Sequence, residues 1–217
     1  MSGVNLNTIL NELKALWSQA MEVWMAGGWA MIGIALAALV IFGLSIHVQL
    51  RLSAKGFQSV RESTWRRWID APEQRRGAIG RLLDQVTSAR SVKETSVIFE
   101  ELRKTEIAPF ERDLRVIKIC VSTAPLLGLL GTVSGMLSTF EALAIGSGGD
   151  KTMRLIAEGI SEALVTTETG LMIALPGLFL QHQLTRKHER YKAFLTHLES
   201  VCAQRLHKKL QHEANAQ

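Results

Sequence analysis

Residues 159–177 read GISEALVTTETGLMIALPG, a stretch apolar enough to cross a membrane that still carries two carboxylates, Glu162 and Glu168. A charged residue inside a membrane span costs about 2.5–3.5 kcal/mol on insertion scales. A segment that served only as an anchor would carry leucine or valine at these positions. The two carboxylates therefore predict that polar or charged groups lie beside this helix in the folded protein.

Helical geometry sorts the residues of this stretch into stripes, because successive side chains are about 100° apart. One polar stripe contains Glu162, Thr166, Thr169 and Ile173. An adjacent stripe of small residues, suited to close helix packing, contains Thr167, Gly170, Ala174 and Gly177. Glu168 lies well round the helix from Glu162. The two carboxylates therefore do not form a paired acid–base dyad, and each needs its own partner or water.

The composition of the chain indicates a membrane protein. It has 217 residues, of which 47% are apolar, and a net charge of +5. Long uncharged apolar runs alternate with highly charged ones, whereas a soluble domain spreads its apolar residues as amphipathic stripes. Cys120 and Cys202 belong to no CxxC pair and are interpreted as reduced and inert. Five of the six histidines follow residue 181 without the spacing of a metal pair, which predicts surface positions.

The order of apolar and polar runs predicts three transmembrane helices. Residues 26–50 contain no Asp, Glu, Lys or Arg, and about 20 apolar residues suffice to cross a bilayer. Trp29 is expected to act as an interfacial anchor at one end of this span. The predicted segments are an N-terminal amphipathic helix on the membrane surface (1–25), the first span (26–50), a polar helical domain (51–115), the second span (116–145), a short loop (146–157), the third span (158–182) and a charged C-terminal helix (183–217). The alternative for 1–25 is an ordinary packed helix.

The second span carries its own packing signals. Gly131 and Gly135 form a GxxxG pair and Gly128 lies seven residues before Gly135, so one face allows close helix packing. Pro125 removes a backbone hydrogen bond, at a cost that neighbouring helices can offset. Thr132 is polar at mid-span. A hydroxyl bonded back to its own helix is the simplest explanation for it, and a polar contact in an assembly is the other.

The charged segment 51–115 is rich in arginine. It shows neither an aromatic-interleaved basic face nor a nucleic-acid-binding motif, so we interpret the arginines as a solvated loop and expect no nucleic acid. Trp65 and Trp68 are expected to rest on the membrane surface. Lys and Arg number one in the N-terminal tail, two in 146–157, fifteen in 51–119 and seven in the C-terminal tail. This asymmetry predicts that the N-terminus lies outside and that both large polar segments lie in the cytoplasm.

The polar residues of the second and third spans predict an assembly. Three spans do not close a pore alone, so the natural solution is a ring of copies whose spans line a central space. Ionisable groups within a membrane commonly mark ion or proton paths, and a threonine hydroxyl both donates and accepts hydrogen bonds. The sequence has no Walker loop, nucleophile elbow or metal cluster. An enzyme is therefore not expected, and any energy would come from an ion gradient.

Two motifs carry a family resemblance. The run APLLGLLGTVSGMLSTF (124–140) followed by GISEALVTTETGLMIALP (159–176) resembles the MotA/TolQ/ExbB proton-channel family, and within it the ExbB branch most closely. The resemblance implies an all-α protein of the bacterial inner membrane that forms a pentameric ring. The ring would surround a dimer of an ExbD-like single-span partner with a membrane aspartate. Proton flow would drive a TonB-like protein and outer-membrane import, with no cofactor.

The resemblance also assigns site residues. Thr132, in GLLGT, and Thr167, in EALVTT, match pore threonines that face the partner's aspartate, and Glu162 matches the family's third-span glutamate. Glu168 departs from the ExbB pattern, which has a neutral residue there. It would line the pore, contact a neighbouring subunit or sit protonated. The predicted proton pathway consists of Thr132, Thr167, Glu162, Thr166 and Glu168.

Other functions stay open on the sequence alone. A TolQ-type subunit for envelope maintenance fits nearly as well, whereas a MotA-type flagellar stator has four spans and a bigger charged domain. A passive membrane scaffold would use the polar cluster only to pack helices. Threonines and carboxylates would also serve sodium as the transported ion.

Overall fold

A computed structural model describes residues 6–56, 60–88, 91–146 and 149–215, and the regular structure in these ranges is helical. The α-helices are α1 (Leu6–Ala26), α2 (Ala30–Ala54), α3 (Glu62–Asp70), α4 (Gly77–Thr87), α5 (Val92–Leu102), α6 (Ala108–Ile145) and α7 (Asp150–Asn215). A short 3₁₀ turn, Pro72–Gln74, precedes α4. A π-helical turn, Arg103–Ile107, joins α5 to α6.

Three helices are long and apolar enough to cross a membrane, in agreement with the three predicted spans. They are α2, the continuous helix that ends with α6, and α7. Two boundaries differ from the prediction. The first span begins at Ala30, because a turn at 27–29 separates it from α1. The third helix begins at Asp150, so that most of the predicted loop 146–157 is helical. Asp150 lies in the first turn of this helix, where the helix dipole stabilises a negatively charged side chain.

The chain divides into two compact units. The first contains the residues up to Phe42 together with Lys118–Leu178. Within it, α2 buries a face whose residues recur every three or four positions: Ala30, Ile34, Ala37 and Ile41. Large apolar side chains on other faces stay exposed, among them Leu39 at 71% and Leu164 at 65%. Apolar exposure of this extent is expected where lipid or another subunit covers the surface.

The second unit contains Gly43–Ile117 and the residues from Phe179 onward. Its buried core consists of Trp65, Ile79, Leu83, Val86, Phe99, Leu102, Leu198, Val201 and Cys202. The prediction that Trp65 rests on the membrane surface is wrong, because its indole is 2% exposed and meets the Phe194 ring edge-on at 6.0 Å. Trp68 packs partly buried against the same core.

Arg75 corrects the interpretation of the basic segment as wholly solvated. Its side chain is 8% exposed. The guanidinium donates to a carboxylate oxygen of Asp84 at 2.7 Å and to the carbonyl oxygen of Trp68 at 2.8 Å. A charged group is buried at acceptable cost only when it is paired and hydrogen-bonded. Arg75 therefore fastens α3 to α4 instead of facing solvent.

His188 likewise overturns a surface prediction. It lies outside the predicted third span, is 2% exposed and packs against the ring of Phe110 at 6.3 Å between centroids. Among the described residues, no group hydrogen-bonds its buried Nε2 atom. Burial lowers the pKa of His188, while the nearby carboxylates of Glu111 and Glu189 oppose that effect. The imidazole is therefore held in its neutral form.

The cysteines agree with the prediction that they are reduced. Both thiols are free, and burial raises the pKa of Cys202 to about 11, which keeps it protonated and unreactive. Within the ranges given above, no group of histidine, cysteine and acidic residues has the geometry of a metal site.

We expect His188 to make folding stability depend on pH. Its folded-state pKa lies below the ordinary value of 6.5, so the unfolded chain binds a proton more readily. Stability is therefore complete above this value and is lost as the pH falls below it. The midpoint of thermal unfolding of the detergent-solubilised protein, measured near neutral pH and about two pH units lower, should fall more for the wild type than for His188→Gln. The exposed His207→Gln variant should behave like the wild type. Identical pH dependence in all three proteins would exclude this role for His188.

Candidate functional site

The site is built on a close antiparallel contact between α6 and α7. The contact face of α6 carries Gly128, Gly131 and Gly135, all buried. A β-carbon on Gly128 would lie 2.9 Å from the carbonyl oxygen of Thr166, and one on Gly135 would lie 2.6 Å from that of Gly159. Both distances are shorter than a carbon–oxygen contact allows. These glycines, predicted as packing residues, therefore let the two backbones touch.

The facing residues of α7 recur every three or four positions and are buried: Gly159, Ala163, Thr166, Gly170, Ala174 and Gly177. A β-carbon on Gly170 would lie 2.8 Å from the carbonyl oxygen of Ala124. Pro125, half-buried in the interior of α6, follows Ala124 directly. Gly170 and Pro125 thus lie at the same end of the helix contact.

Thr166 lies in this contact and not beside an open path. Its side chain is fully buried, and its hydroxyl donates to the backbone carbonyls of Glu162 and Ala163, each at 3.0 Å. A β-carbon on Gly131 would collide with that hydroxyl. The sequence predicted both Thr166 and Thr167 on the proton pathway, with Thr166 on the polar stripe and Thr167 on the small-residue stripe. In the structure Thr166 packs against Gly131, so Thr166 is left out of the pathway proposed below.

Thr132 and Thr167 are the half-buried hydroxyls at the edge of the contact. Thr167 Oγ1 donates across the helix pair to the carbonyl oxygen of Gly128 at 3.2 Å. Thr132 Oγ1 donates to the carbonyl oxygen of Leu129 in its own helix at 2.7 Å, as the simplest explanation of its position required. Since each hydroxyl hydrogen is used, each oxygen is left as an acceptor. The pair can therefore accept a hydrogen bond from water or from a protonated carboxyl group.

Glu162 is half-buried and faces two environments. On one side its carboxyl group touches the backbone of Gly28, where a β-carbon would collide with Oε1. On the other it lines an open cavity of about 620 Å³ whose polar lining also includes Ser138, Glu141, Lys151, Thr152 and Glu158. The Glu162 carboxyl group is therefore within reach of water while being covered by protein on one side.

Glu168 is exposed on a face of α7 that points away from the helix contact. In the part of the chain that the structure describes, no hydrogen bond or ion pair reaches its carboxylate. The structure does not bring Glu168 and Glu162 together, in line with their angular separation. Its partner, if the group is ionised within a membrane, has to come from outside the described residues.

The sequence reasoning missed the turn at 27–29. Trp29 was expected to act only as an interfacial anchor, yet its Nε1–H donates to Ser134 Oγ at 3.1 Å. The sequence signal was the pair Gly27–Gly28, which interrupts two helical patterns ahead of a tryptophan. Glycine pairs of this kind mark turns. The turn brings a segment remote in sequence onto α6 and α7.

Three apolar helices, a glycine-lined helix contact and polar side chains at its edge define an α-helical multi-pass membrane protein. The sequence model of the MotA/TolQ/ExbB proton channel family matches residues 71–196, more than half of the chain. The chain belongs to this family.

Individual relatives come from two branches of the family. ExbB-like 1 of Synechocystis sp. is 38% identical over 113 residues, which cover 51% of this chain and 44% of that protein. The biopolymer transport protein exbB1 of Vibrio cholerae is 36% identical over 88 residues, covering 41% and 38%. The Tol-Pal system protein TolQ of Pseudomonas aeruginosa is 32% identical over 90 residues, covering 40% and 38%. The chain thus matches less than half the length of each relative.

The glycine contact makes opposite predictions for two Gly→Ala variants. Gly135→Ala should destabilise the protein, because a backbone oxygen lies 2.6 Å from the new carbon and α6 and α7 have to separate. Gly43→Ala, on α2, meets none of the described residues within 4 Å and should be neutral or stabilising by up to about 1 kcal/mol, since alanine favours helix. Thermal unfolding in detergent compares the two. Equal midpoints would show that the contact does not limit stability.

Proposed function

We propose that this protein is an ion-driven motor subunit of the ExbB or TolQ type, which uses the proton motive force across a bacterial inner membrane. Membership of a proton-channel family supports the class. The observation that carries the proposal is the pair Thr132 and Thr167, two half-buried hydroxyls at the edge of the helix contact whose oxygens are left as hydrogen-bond acceptors. A scaffold would use the Thr167 bond to hold the two helices together, but it would not need a second hydroxyl, Thr132, beside it.

The proposed chemistry is proton transfer at a partner's carboxyl group that hydrogen-bonds with these threonines. A protonated carboxylic acid donates a hydrogen bond, which Thr132 and Thr167 are set to accept. Once the proton leaves, the carboxylate only accepts, and the hydroxyls can turn their hydrogens toward it at the cost of their bonds to the backbone. Both protonation states are therefore accommodated, as a proton path requires. Glu162 would relay the proton between the threonines and the open cavity beside it.

The assembly proposed is a ring of copies, taken as five from the family resemblance, around a dimer of an ExbD-like single-span protein. The exposed apolar faces and the unpartnered carboxylate of Glu168 support a ring, because both need cover within a membrane. The Lys and Arg distribution supports a periplasmic N-terminus, with 51–115 and 183–217 in the cytoplasm.

The downstream partner proposed is a TonB-like protein that energises outer-membrane import, with a Tol-type envelope-maintenance role as the second candidate. The sequence motifs favour the first, and the TolQ relative supports the second. The two candidates share the same site and the same ion, protons, and differ in the protein that receives the motion.

The partner can be tested by affinity capture of this protein from native membranes followed by native mass spectrometry. We expect a ring of about five copies with two copies of a small single-span protein that has a membrane aspartate. The sequence of that partner then distinguishes the ExbB branch from the TolQ branch. A homo-oligomer that captures no such protein would contradict the motor and favour a scaffold.

The proton path can be tested by flux into liposomes that contain the captured complex and a pH-sensitive dye. Thr132→Ala and Thr167→Ala should each reduce flux by about tenfold or more, as loss of one preorganised polar group commonly does. Thr123→Ala is the matched control, since it also bonds its own helix, at 2.8 Å, but lies on the opposite side of α6. Wild-type flux in both test variants, with the ring intact, would contradict the path.

The two glutamates should differ in the same assay. Glu162→Ala should reduce flux more than Glu168→Ala, because only Glu162 lines the open cavity. Equal, wild-type-like flux in both variants would remove Glu162 from the path.

A further inference from the structure

The turn between α1 and α2 is held by both helices of the site. Trp29 Nε1 donates to Ser134 of α6 at 3.1 Å, although the two residues are 105 positions apart. Gly27 is buried, with the methyl group of Thr166 3.5 Å from where its β-carbon would lie. Gly28 touches the carboxyl group of Glu162. Trp29 of the turn thus contacts α6, Gly28 contacts α7, and Gly27 lies beside α7.

Gly28 is required at this position for two separate reasons. Its φ of +58° lies in the left-handed region, which other residues adopt at a cost. A β-carbon would also collide with Oε1 of Glu162 and lie 2.7 Å from its carboxyl carbon. The second reason is specific to the site, because only a glycine lets the backbone approach the carboxyl group this closely.

The contact restricts what the Glu162 carboxyl group can do. The turn closes one side of the group, and the cavity of about 620 Å³ leaves the other open. Backbone cannot rotate away as a side chain can, so the turn limits the rotamers of Glu162 and the directions from which water reaches it. The turn is itself fixed to the start of α2, because the carbonyl oxygens of Gly28 and Trp29 accept from the N–H groups of Met31 and Ile32 at 3.3 and 3.1 Å.

We propose that the turn formed by Gly27, Gly28 and Trp29 is a positioning element that holds the carboxyl group of Glu162 toward the open cavity, so that the N-terminal helix α1 is mechanically linked to the proton path. This inference rests on the role proposed for Glu162. It assigns a task to residues outside the two motifs that define the family resemblance.

A matched pair of glycines separates backbone strain from the contact itself. Gly56 has a φ of +61°, almost the same as that of Gly28, but an added β-carbon there meets none of the described residues within 4 Å. Gly56→Ala therefore introduces only backbone strain from the positive φ. Gly28→Ala introduces the same strain and also the collision with the carboxyl group of Glu162. Glu162→Asp shortens the side chain by one methylene group and should relieve the collision.

The decisive experiment is a double-mutant cycle on the full complex with Gly28→Ala, Glu162→Asp and the combined variant, beside Gly56→Ala. We expect Gly28→Ala to lower the unfolding midpoint more than Gly56→Ala, and the combined variant to be more stable than Gly28→Ala. Additive effects at positions 28 and 162 would overturn the proposal. Equal midpoints for the two glycine variants would overturn it as well.

Proton flux at several pH values provides the second readout. Gly28→Ala should lower flux about tenfold or more relative to Gly56→Ala and displace its pH profile, since a misplacement on the order of 1 Å can cost about a hundredfold. An unchanged profile in Gly28→Ala would overturn the link to the proton path. If the unfolding midpoints at positions 28 and 162 are non-additive while Glu162→Gln keeps wild-type flux, the turn positions Glu162 but Glu162 is not part of the proton path. Failure of the positioning proposal can therefore be distinguished from failure of the proposed function.

A milder substitution keeps the proposal testable if the Gly28→Ala protein fails to fold. Trp29→Phe keeps an aromatic ring and removes the donor to Ser134, and Trp17→Phe, at a position 71% exposed, is its control. Trp29→Phe should displace the pH profile in the same direction as Gly28→Ala, by a smaller amount. A profile identical to that of Trp17→Phe would count against the turn as a positioning element.

Discussion

The direct contact between the backbones of α6 and α7 is the constraint on which the site depends. Carbonyl oxygens of one helix lie 2.6 to 2.9 Å from where β-carbons of the other would be, at Gly128, Gly135 and Gly170. Within a bilayer, packing and hydrogen bonds hold helices together, because lipid is as apolar as their side chains. The same contact exposes the Gly128 carbonyl to the hydroxyl of Thr167. The glycines therefore serve packing and polar chemistry together.

Under the proposed function, this arrangement ties proton transfer to helix geometry. Thr167 bonds across the helix pair and Thr132 bonds within α6, so any relative movement of the helices changes which hydroxyl hydrogens are available. Glu162 adds a third element, since its carboxyl group abuts the turn before α2. A site in which each polar group is anchored to backbone is suited to convert protonation into displacement. Polar side chains that were not bonded to backbone would respond to a change of protonation by rotating, without moving the helices.

The second unit shows how a charged sequence builds a core. Arg75 and His188 looked like surface residues because they lie among many other charges, yet both are almost fully buried. Arg75 is compensated by Asp84 and backbone carbonyls, and His188 stays neutral against Phe110. Composition averages over such positions, so it reports the number of charges and not which of them are neutralised by local partners.

The sequence by itself determined the three apolar helices, the family and the residues from which the site is made, because length, hydropathy and the spacing of glycines and threonines are properties of single helices. Tertiary structure decided which of two adjacent threonines packs, and it brought Gly28 to Glu162. Periodicity gives the direction of a side chain about its own axis. It does not say which neighbouring element occupies that direction, and only the packed chain supplies that answer.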